Sequence, residues 1–433
     1  MSTERRRALE HLEIARRGRD LDRLMLDQRG EGIASRPRLR PGASAKAIEA
    51  RWKALGVDAE TRAALFDADD LDHVAHHSAA IEGFIGTAKV PVGVAGPLRV
   101  RGLFAHGEYY VPLATTEAAL VASYDRGAAI VTAAGGCAAM VLNESVLRTP
   151  GFVFASLTDA GRFVVWAIER FDEFRAVAAT TTEHGELIDL RVTIDGRWVY
   201  IAFEFRTGDA SGQNMVTFAT QAICKWIASH APIKPTTMFV EANMSGDKKA
   251  CAQSFLLTRG RKVTAEAIVP KELVERSLRT TPARMAEYWR MSAVGGILSG
   301  CLGIQGHFAN GLAALFIACG QDAACVAESA VGTTRMEVDA SGGLYVSVTL
   351  PNLMVGTVGG GTGLPSADAC LAILGLRGTG QARALAEVCT ALILAGEISI
   401  VGALASDEFA QAHQRRARDR RVRSKDDLRT KRS

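Results

Sequence analysis

Aromatic residues are scarce in this sequence, at 6% of 433 positions, and none falls in the basic stretch from Arg415 to Ser433. That end lacks the stacking surfaces that single-stranded nucleic acid requires, and its charge reads as a solvated tail. The eight cysteines include no C-x-x-C pair, and Cys137, Cys301, Cys319 and Cys370 sit among small apolar residues. Free thiols pack in such settings, which argues against a disulfide framework or zinc site and for a reducing cytoplasm. The first residues are charged helix formers and not an apolar signal segment. Asp, Glu, Lys and Arg are all absent from Met291 to Gln321, but Gln305, His307 and Asn310 interrupt the run and glycine recurs in it. A spanning helix needs about 20 mostly apolar residues, so this stretch reads as two close-packed buried helices with polar groups aimed at a site. Neither membrane nor nucleic acid is expected as a partner, and no metal is expected.

The remaining composition is that of an ordinary globular chain, 48% hydrophobic and 23% charged with a net charge of +4, long enough for two or three domains. Residues 1–75 read as a polar helical region, in which Ile48, Trp52 and Leu55 share one face of a helix over Ala45–Leu55. From Ile81 the character changes to glycine- and proline-marked turns. Glu82 lies between apolar residues there; such an acid has a raised pKa and can donate a proton, unless it simply faces water from a turn. Ala114 to Gly127 predicts a threonine-capped helix with Arg126 near its end, suited to grip a carboxylate or to sit as a surface charge. Residues 128–240 alternate strand and helix patterns as a separate unit. Within it, Arg206 to Met215 is a strand, a small-residue turn and a helix start, where backbone N–H groups can meet phosphate, although the G-x-G-x-x-G fingerprint is missing.

The chemistry concentrates after a strand-like run, Thr237 to Val240, where Asp247-Lys248-Lys249 follows a turn. A lysine delivered beside a carboxylate can be held still and can stabilise negative charge on a carbonyl oxygen; the alternative is a solvated charge cluster. His307 and Asn310 are spaced for one helical face. Asp322 stands alone in an apolar helical stretch, where it needs a partner, and Lys248 is a suitable one. The triple glycine Gly359-Gly360-Gly361 before Pro365 permits close approach to a ligand or serves as a turn. Ala384–Ala405 is apolar but carries Glu387 and Glu397, so it reads as a core helix. His413 ends the last helix, as plain surface or as a mobile acid near neutral pKa.

Six stretches in order carry a family resemblance: FIGTAKVPVGVAGPL at 84–98, ATTEAALVAS at 114–123, TGDASGQNM at 207–215, DKK at 247–249, GQDAA at 320–324 and VGTVGGGTGLP at 355–365. From about residue 75 to 415 the chain resembles 3-hydroxy-3-methylglutaryl-CoA (HMG-CoA) reductase, in the class found in eukaryotes and archaea, without the membrane anchor of the eukaryotic members. The resemblance implies an α+β fold: a helical N-terminal region (1–75), a large domain around a long central helix (76–127 and 241–415), an inserted ferredoxin-like nucleotide-binding domain (128–240) and a basic tail (416–433). It implies a cytoplasmic homodimer or tetramer with shared active sites, and a four-electron reduction of HMG-CoA to mevalonate and CoA with NADPH, NADH being the alternative.

In that scheme Lys248 meets the carbonyl oxygen, Asp322 holds the lysine, Glu82 supplies a proton in the aldehyde step and His413 protonates the departing thiolate. Arg126 and Lys249 grip the free carboxylate, and Asn243, His307 and Asn310 complete the pocket. Asp209, Ala210, Ser211, Gly212, Asn214, Met215, Gly359, Gly360, Gly361 and Thr362 bind the nucleotide. Three departures stand out. Glu241 replaces a serine near the substrate carboxylate, where two carboxylates repel unless Arg126 and Lys249 compensate; this leaves open a reductase of a different short acyl-CoA. Ala412 replaces the serine beside the histidine. Acids in Thr182-Glu183-His184-Gly185-Glu186 stand where arginines meet the NADP 2′-phosphate, and favour a ribose 2′-OH instead. A non-catalytic acyl-CoA-binding protein is the remaining alternative.

Overall fold

The computed structural model describes residues 44–406, together with 4–7, 9–10, 13, 37–39 and 42. Ala412, His413 and the basic tail lie outside the described residues. The chain divides into two units, Met1–Ala88 and Lys89–Ser433. The division therefore falls beyond residue 75, and Glu82 goes with the first unit.

In the first unit, helix α1 (Ala45–Leu55) starts where Ser44 Oγ accepts the Ala47 N–H and stops at Gly56 in the left-handed region. Helices α2 (Ala59–Leu65), α3 (Ala68–Asp72) and α4 (Val74–Ala80) follow. Asp58 caps α2, and Asp67 with Asp70 forms a reciprocal capping box on α3. Ile48, Trp52 and Phe84 form the small core. Arg51 donates to the Phe84 carbonyl at 2.7 Å, tying the turn after α4 back to α1. Glu82 is exposed on that turn. Within this unit the apolar setting expected for it does not form, because Ile81 also faces out and Phe84 alone is drawn fully inward.

The second unit contains ten strands among the described residues. They are β1 (Val92–Gly102), β2 (His106–Ala114), β3 (Cys137–Arg148), β4 (Gly151–Val153), β5 (Glu186–Asp195), β6 (Trp198–Arg206), β7 (Thr237–Phe239), β8 (Gly260–Val269), β9 (Thr333–Val338) and β10 (Leu344–Leu353). Between them run α5 (Leu120–Ala133), α6 (Leu157–Glu169), α7 (Phe171–Ala179), α8 (Gln213–His230), α9 (Lys271–Leu278), α10 (Pro282–Ser299), α11 (Phe308–Ala318) and the single turn α12 (Val326–Ser329). Two helices follow, α13 (Pro365–Leu374) and α14 (Ala382–Ala405).

Strand β3 belongs to two sub-sheets. Its residues 137–145 pair with β1 and β8, and Val146–Arg148 pair with β6. From Val146 the chain reads β-α-β-β-α-β: the end of β3 with β4, then α6 and α7, β5, β6, α8, β7. The strand order is β7, β4, β6, β5, antiparallel throughout. This is the ferredoxin-like arrangement expected. It begins near residue 146 and not at 128, because α5 and residues 137–145 of β3 pack in the large sheet.

Helix α14 spans 24 residues, roughly 36 Å at 1.5 Å per residue. It is long and apolar enough to cross a membrane, yet nearly all of it is enclosed by the protein. Its two acids are capped by backbone. Glu387 accepts the N–H groups of Phe104 and Ala105, and Glu397 those of Gly306 and His307. A Cβ on Gly127 of α5 would lie 1.9 Å from the Ala395 carbonyl oxygen, so only glycine lets these helices cross so closely.

Three expectations fail locally. α5 begins at Leu120 without a side-chain cap, because Ala119 takes φ 74°, and it runs to Ala133, so Arg126 is mid-helix. The stretch from Met291 is only half buried: α11 is enclosed except at Ala309 and Ile317, but α10 exposes Met291, Val294, Ile297 and Leu298. Cys301 is exposed, unlike Cys137, Cys319 and Cys370.

Candidate functional site

Lys248 sits in the loop after β7, at φ 57°. Its Nζ lies 2.8 Å from Asp322 Oδ2, so the pairing expected of these two residues is made. Asp322 is not inside a helix. It caps a 3₁₀ turn over Ala323–Cys325, accepting the Ala324 N–H at 3.0 Å, and Gln213 Nε2 donates to the same carboxylate at 3.2 Å. The hydrogen bond to Asp322 raises the Lys248 pKa above its ordinary 10.5, against a smaller opposing effect of burial. Burial would raise Asp322, but the lysine and the Ala324 N–H together hold it below 3.8. Both groups stay charged across the neutral range, with the ammonium partly open to solvent.

Three glycine-bearing segments close around this pair. Helix α8 starts at Gln213 behind Gly212 (φ 75°), with no side chain capping its first N–H groups. Such a terminus presents donors to an anion. The loop before it abuts the strand end after β10: a Cβ on Gly356 would be 2.6 Å from Ser211 N, and Thr357 N–H donates to the Asp209 carbonyl at 2.9 Å. Gly356 N–H in turn donates to Gln321 Oε1 at 2.8 Å. Gly361 packs on Gly320, where a Cβ would meet the Gly320 oxygen at 2.6 Å, while Gly359 and Gly360 have open space before them. Thr362 is buried and bonds back to the Gly359 carbonyl. Ala210 and Ser211 are half-buried, Asn214 is exposed, and Met215 lies against Gly185. The loops at 209–215, 320–322 and 356–362 thus meet around one locus. The Asp209 carboxylate also caps α14, accepting the N–H groups of Gly380 (2.7 Å) and Ala382 (3.1 Å).

The other expected residues are more dispersed. Lys249 is exposed and donates to the Asp247 carbonyl at 2.6 Å. Asn243 is exposed at φ 62°. Arg126 donates to Ser399 Oγ at 3.0 Å and to its carbonyl at 2.8 Å, on α14. His307 is not on the face of α11. It is the cap residue before Phe308, its ring stacked on Tyr124 at 4.7 Å, while Asn310 donates to Glu117 at 2.8 Å. Burial lowers the His307 pKa from 6.5, outweighing the nearby Glu397.

Glu241 does not rely on Arg126 or Lys249. Arg148 Nη1 sits 3.1 Å from both Glu241 and Asp247, and supplies the compensating charge. Two further residues escaped sequence reading. Arg259, almost fully buried, lies 2.6 Å from Glu328 and 2.8 Å from Asp247, the second contact too bent for a hydrogen bond. Glu328, wholly buried, accepts the Lys248 main-chain N–H at 2.9 Å. For Glu328 the available signal was a charge within a small apolar stretch, Val326-Ala327-Glu328; Arg259, in Thr258-Arg259-Gly260-Arg261-Lys262, stands among other cations and carries none.

An ammonium fixed by a carboxylate, beside an uncapped helix start and glycine-lined space, can polarise a carbonyl while an anionic cofactor lies alongside. The family description hydroxymethylglutaryl-coenzyme A reductase matches residues 47–418. The chain is 41% identical over 353 residues to the 3-hydroxy-3-methylglutaryl-coenzyme A reductase of Methanothermobacter thermautotrophicus, covering 79% of this chain and 88% of that one. It is 44% identical over 340 residues to that of Haloferax volcanii, covering 77% and 84%. Among solved structures it is similar to the class II 3-hydroxy-3-methylglutaryl-CoA reductase of Streptococcus pneumoniae bound to NADPH. There the TM-score is 0.62 at 19% identity, over 83% of this chain and 97% of that one.

Proposed function

The chain belongs to the hydroxymethylglutaryl-coenzyme A reductase family and reduces HMG-CoA to mevalonate and CoA, and we propose that Lys248, held by Asp322, is the group that makes this reduction possible. The observation that carries the reading is the 2.8 Å contact between them. Two hydride equivalents and two protons enter the thioester, its carbon–sulfur bond breaks, and CoA leaves as a thiol. In each reduction the carbonyl oxygen gains negative charge, and the Lys248 ammonium stabilises or protonates it. Glu82 supplies a proton in the aldehyde step. His413, outside the described residues, protonates the thiolate. Arg126 and Lys249 take the distal carboxylate, with Asn243, His307 and Asn310 lining the pocket.

The nicotinamide dinucleotide supplies hydride when bound. The residues present fit it: the uncapped start of α8 offers N–H groups to its phosphates, and Gly359 and Gly360 leave the space it needs. NADPH is the first choice, as the cofactor of the pneumococcal neighbour. NADH is the second reading, favoured by one observation: Glu186 already holds the guanidinium groups of Arg175 and Arg206 beside this loop. The oligomer is a dimer or a pair of dimers. The uncovered apolar side of α10, with Ile297 75% and Leu298 82% exposed, supports it.

The test is a spectrophotometric assay with HMG-CoA and with thioesters lacking the distal carboxylate, each with NADPH and NADH. Turnover of HMG-CoA well above the others is expected. Preference for a thioester without the carboxylate contradicts the substrate, and CoA-ester binding without oxidation of either nucleotide contradicts the enzyme.

A further inference from the structure

We infer that Glu328 and Arg259 are positioning residues that hold Lys248 in its reactive conformation, from a buried site behind the loop. The inference rests on the reading of Lys248 given above. A lysine at φ 57° occupies a conformation that residues with a Cβ adopt only when their surroundings hold them there. Here one short segment grips Lys248 at two points. Asp322, at its start, takes the side chain at 2.8 Å. Glu328, six residues on in α12, takes the main-chain N–H at 2.9 Å. The segment between them is one 3₁₀ turn running directly into α12, so the two grips are fixed relative to each other.

Glu328 is wholly buried, and burial pushes its pKa up. Arg259, itself 1% exposed, opposes that push from 2.6 Å, as does the Lys248 N–H. The same guanidinium lies 2.8 Å from Asp247, the residue before Lys248. Arg259 is in turn anchored to β10, where its N–H donates to Asn352 Oδ1 at 2.9 Å. Arg148 approaches Asp247 from the other side at 3.1 Å and brings in Glu241. Neither Arg259 nor Glu328 has surface to offer a substrate, so their effect on the reaction runs through the geometry of Lys248.

The experiment compares wild type, Glu328→Gln and Lys248→Ala with HMG-CoA and NADPH, reading kcat and KM separately, with the folded fraction measured by circular dichroism. Glutamine matches glutamate in shape, but its amide sets an N–H donor against Arg259 or against the Lys248 N–H. The expected result is a fall in kcat of about 10²-fold with little change in KM, since a misplacement of order 1 Å is enough for that. Unchanged kcat, or a fall no larger than the loss of folded protein, overturns the inference while a dead Lys248→Ala leaves the reading of Lys248 intact. Full turnover in Lys248→Ala removes the reading itself. Should Glu328→Gln not fold, hydrogen exchange of wild type decides. Protection of the Lys248 amide comparable to that of β8 is expected, and exchange at the rate of an open loop overturns the inference.

Discussion

At Lys248 two opposing effects act on one ammonium: partial burial lowers its pKa and the hydrogen bond to Asp322 raises it by more. The sign of a perturbation follows. In Asp322→Asn the largest raising cause is gone while burial still lowers, so the lysine deprotonates at lower pH than in wild type. The alkaline limb of the kcat–pH profile is expected to move down in pH; a limb that stays in place means that another group sets it. Asp322, held below 3.8, contributes stability that is present above that value and lost as pH falls through its lowered folded pKa. The pair was legible because an acid alone in an apolar stretch demands a counter-charge, and only a few cations follow turns near strand ends. Glu328 was not, because its partner is a main-chain N–H whose position depends on the left-handed φ of Lys248. Nor was the capping role of Asp209, which requires α14 to begin beside it.

Among the elements, α10 and α14 show what an apolar stretch does and does not reveal. α10 has no charge from Met291 to its end and α14 has only Glu387 and Glu397 after Arg383, and pattern alone reads each as buried. α14 is enclosed by its own chain, whereas α10 leaves Met291, Val294, Ile297 and Leu298 uncovered. Periodicity reports that a face avoids water, not which molecule covers it. For the proposed oligomer, Leu298→Glu is expected to leave the fold intact, since Leu298 is 82% exposed, and to lower the solution mass measured by light scattering below that of wild type. An unchanged mass would show that this side of α10 is not the interface. The starts of α5 and α11 were displaced for a different reason. Ala119 at φ 74° and His307 at φ −146° break helical geometry where residue propensities alone would continue or begin it.

For the whole molecule, the inserted β-α-β-β-α-β motif was readable from its alternating strand and helix patterns, but its first boundary was not. β3 is one unbroken strand shared between two sub-sheets, and nothing in a strand's own sequence marks where its partner changes. That sharing matters for the site. Arg148 ends β3, β7 leads into the Lys248 loop, and α8 begins at Gln213 within reach of Asp322. The inserted motif and the lysine-bearing loop are thus joined by strand pairing and by direct hydrogen bonds. The most direct test of the account is hydride transfer by Lys248→Ala in a single turnover, with HMG-CoA and reduced nucleotide at saturating concentration and ester binding measured separately. The account predicts that binding persists while nucleotide oxidation is abolished. Oxidation at the wild-type rate, with the ester bound as usual, would contradict it.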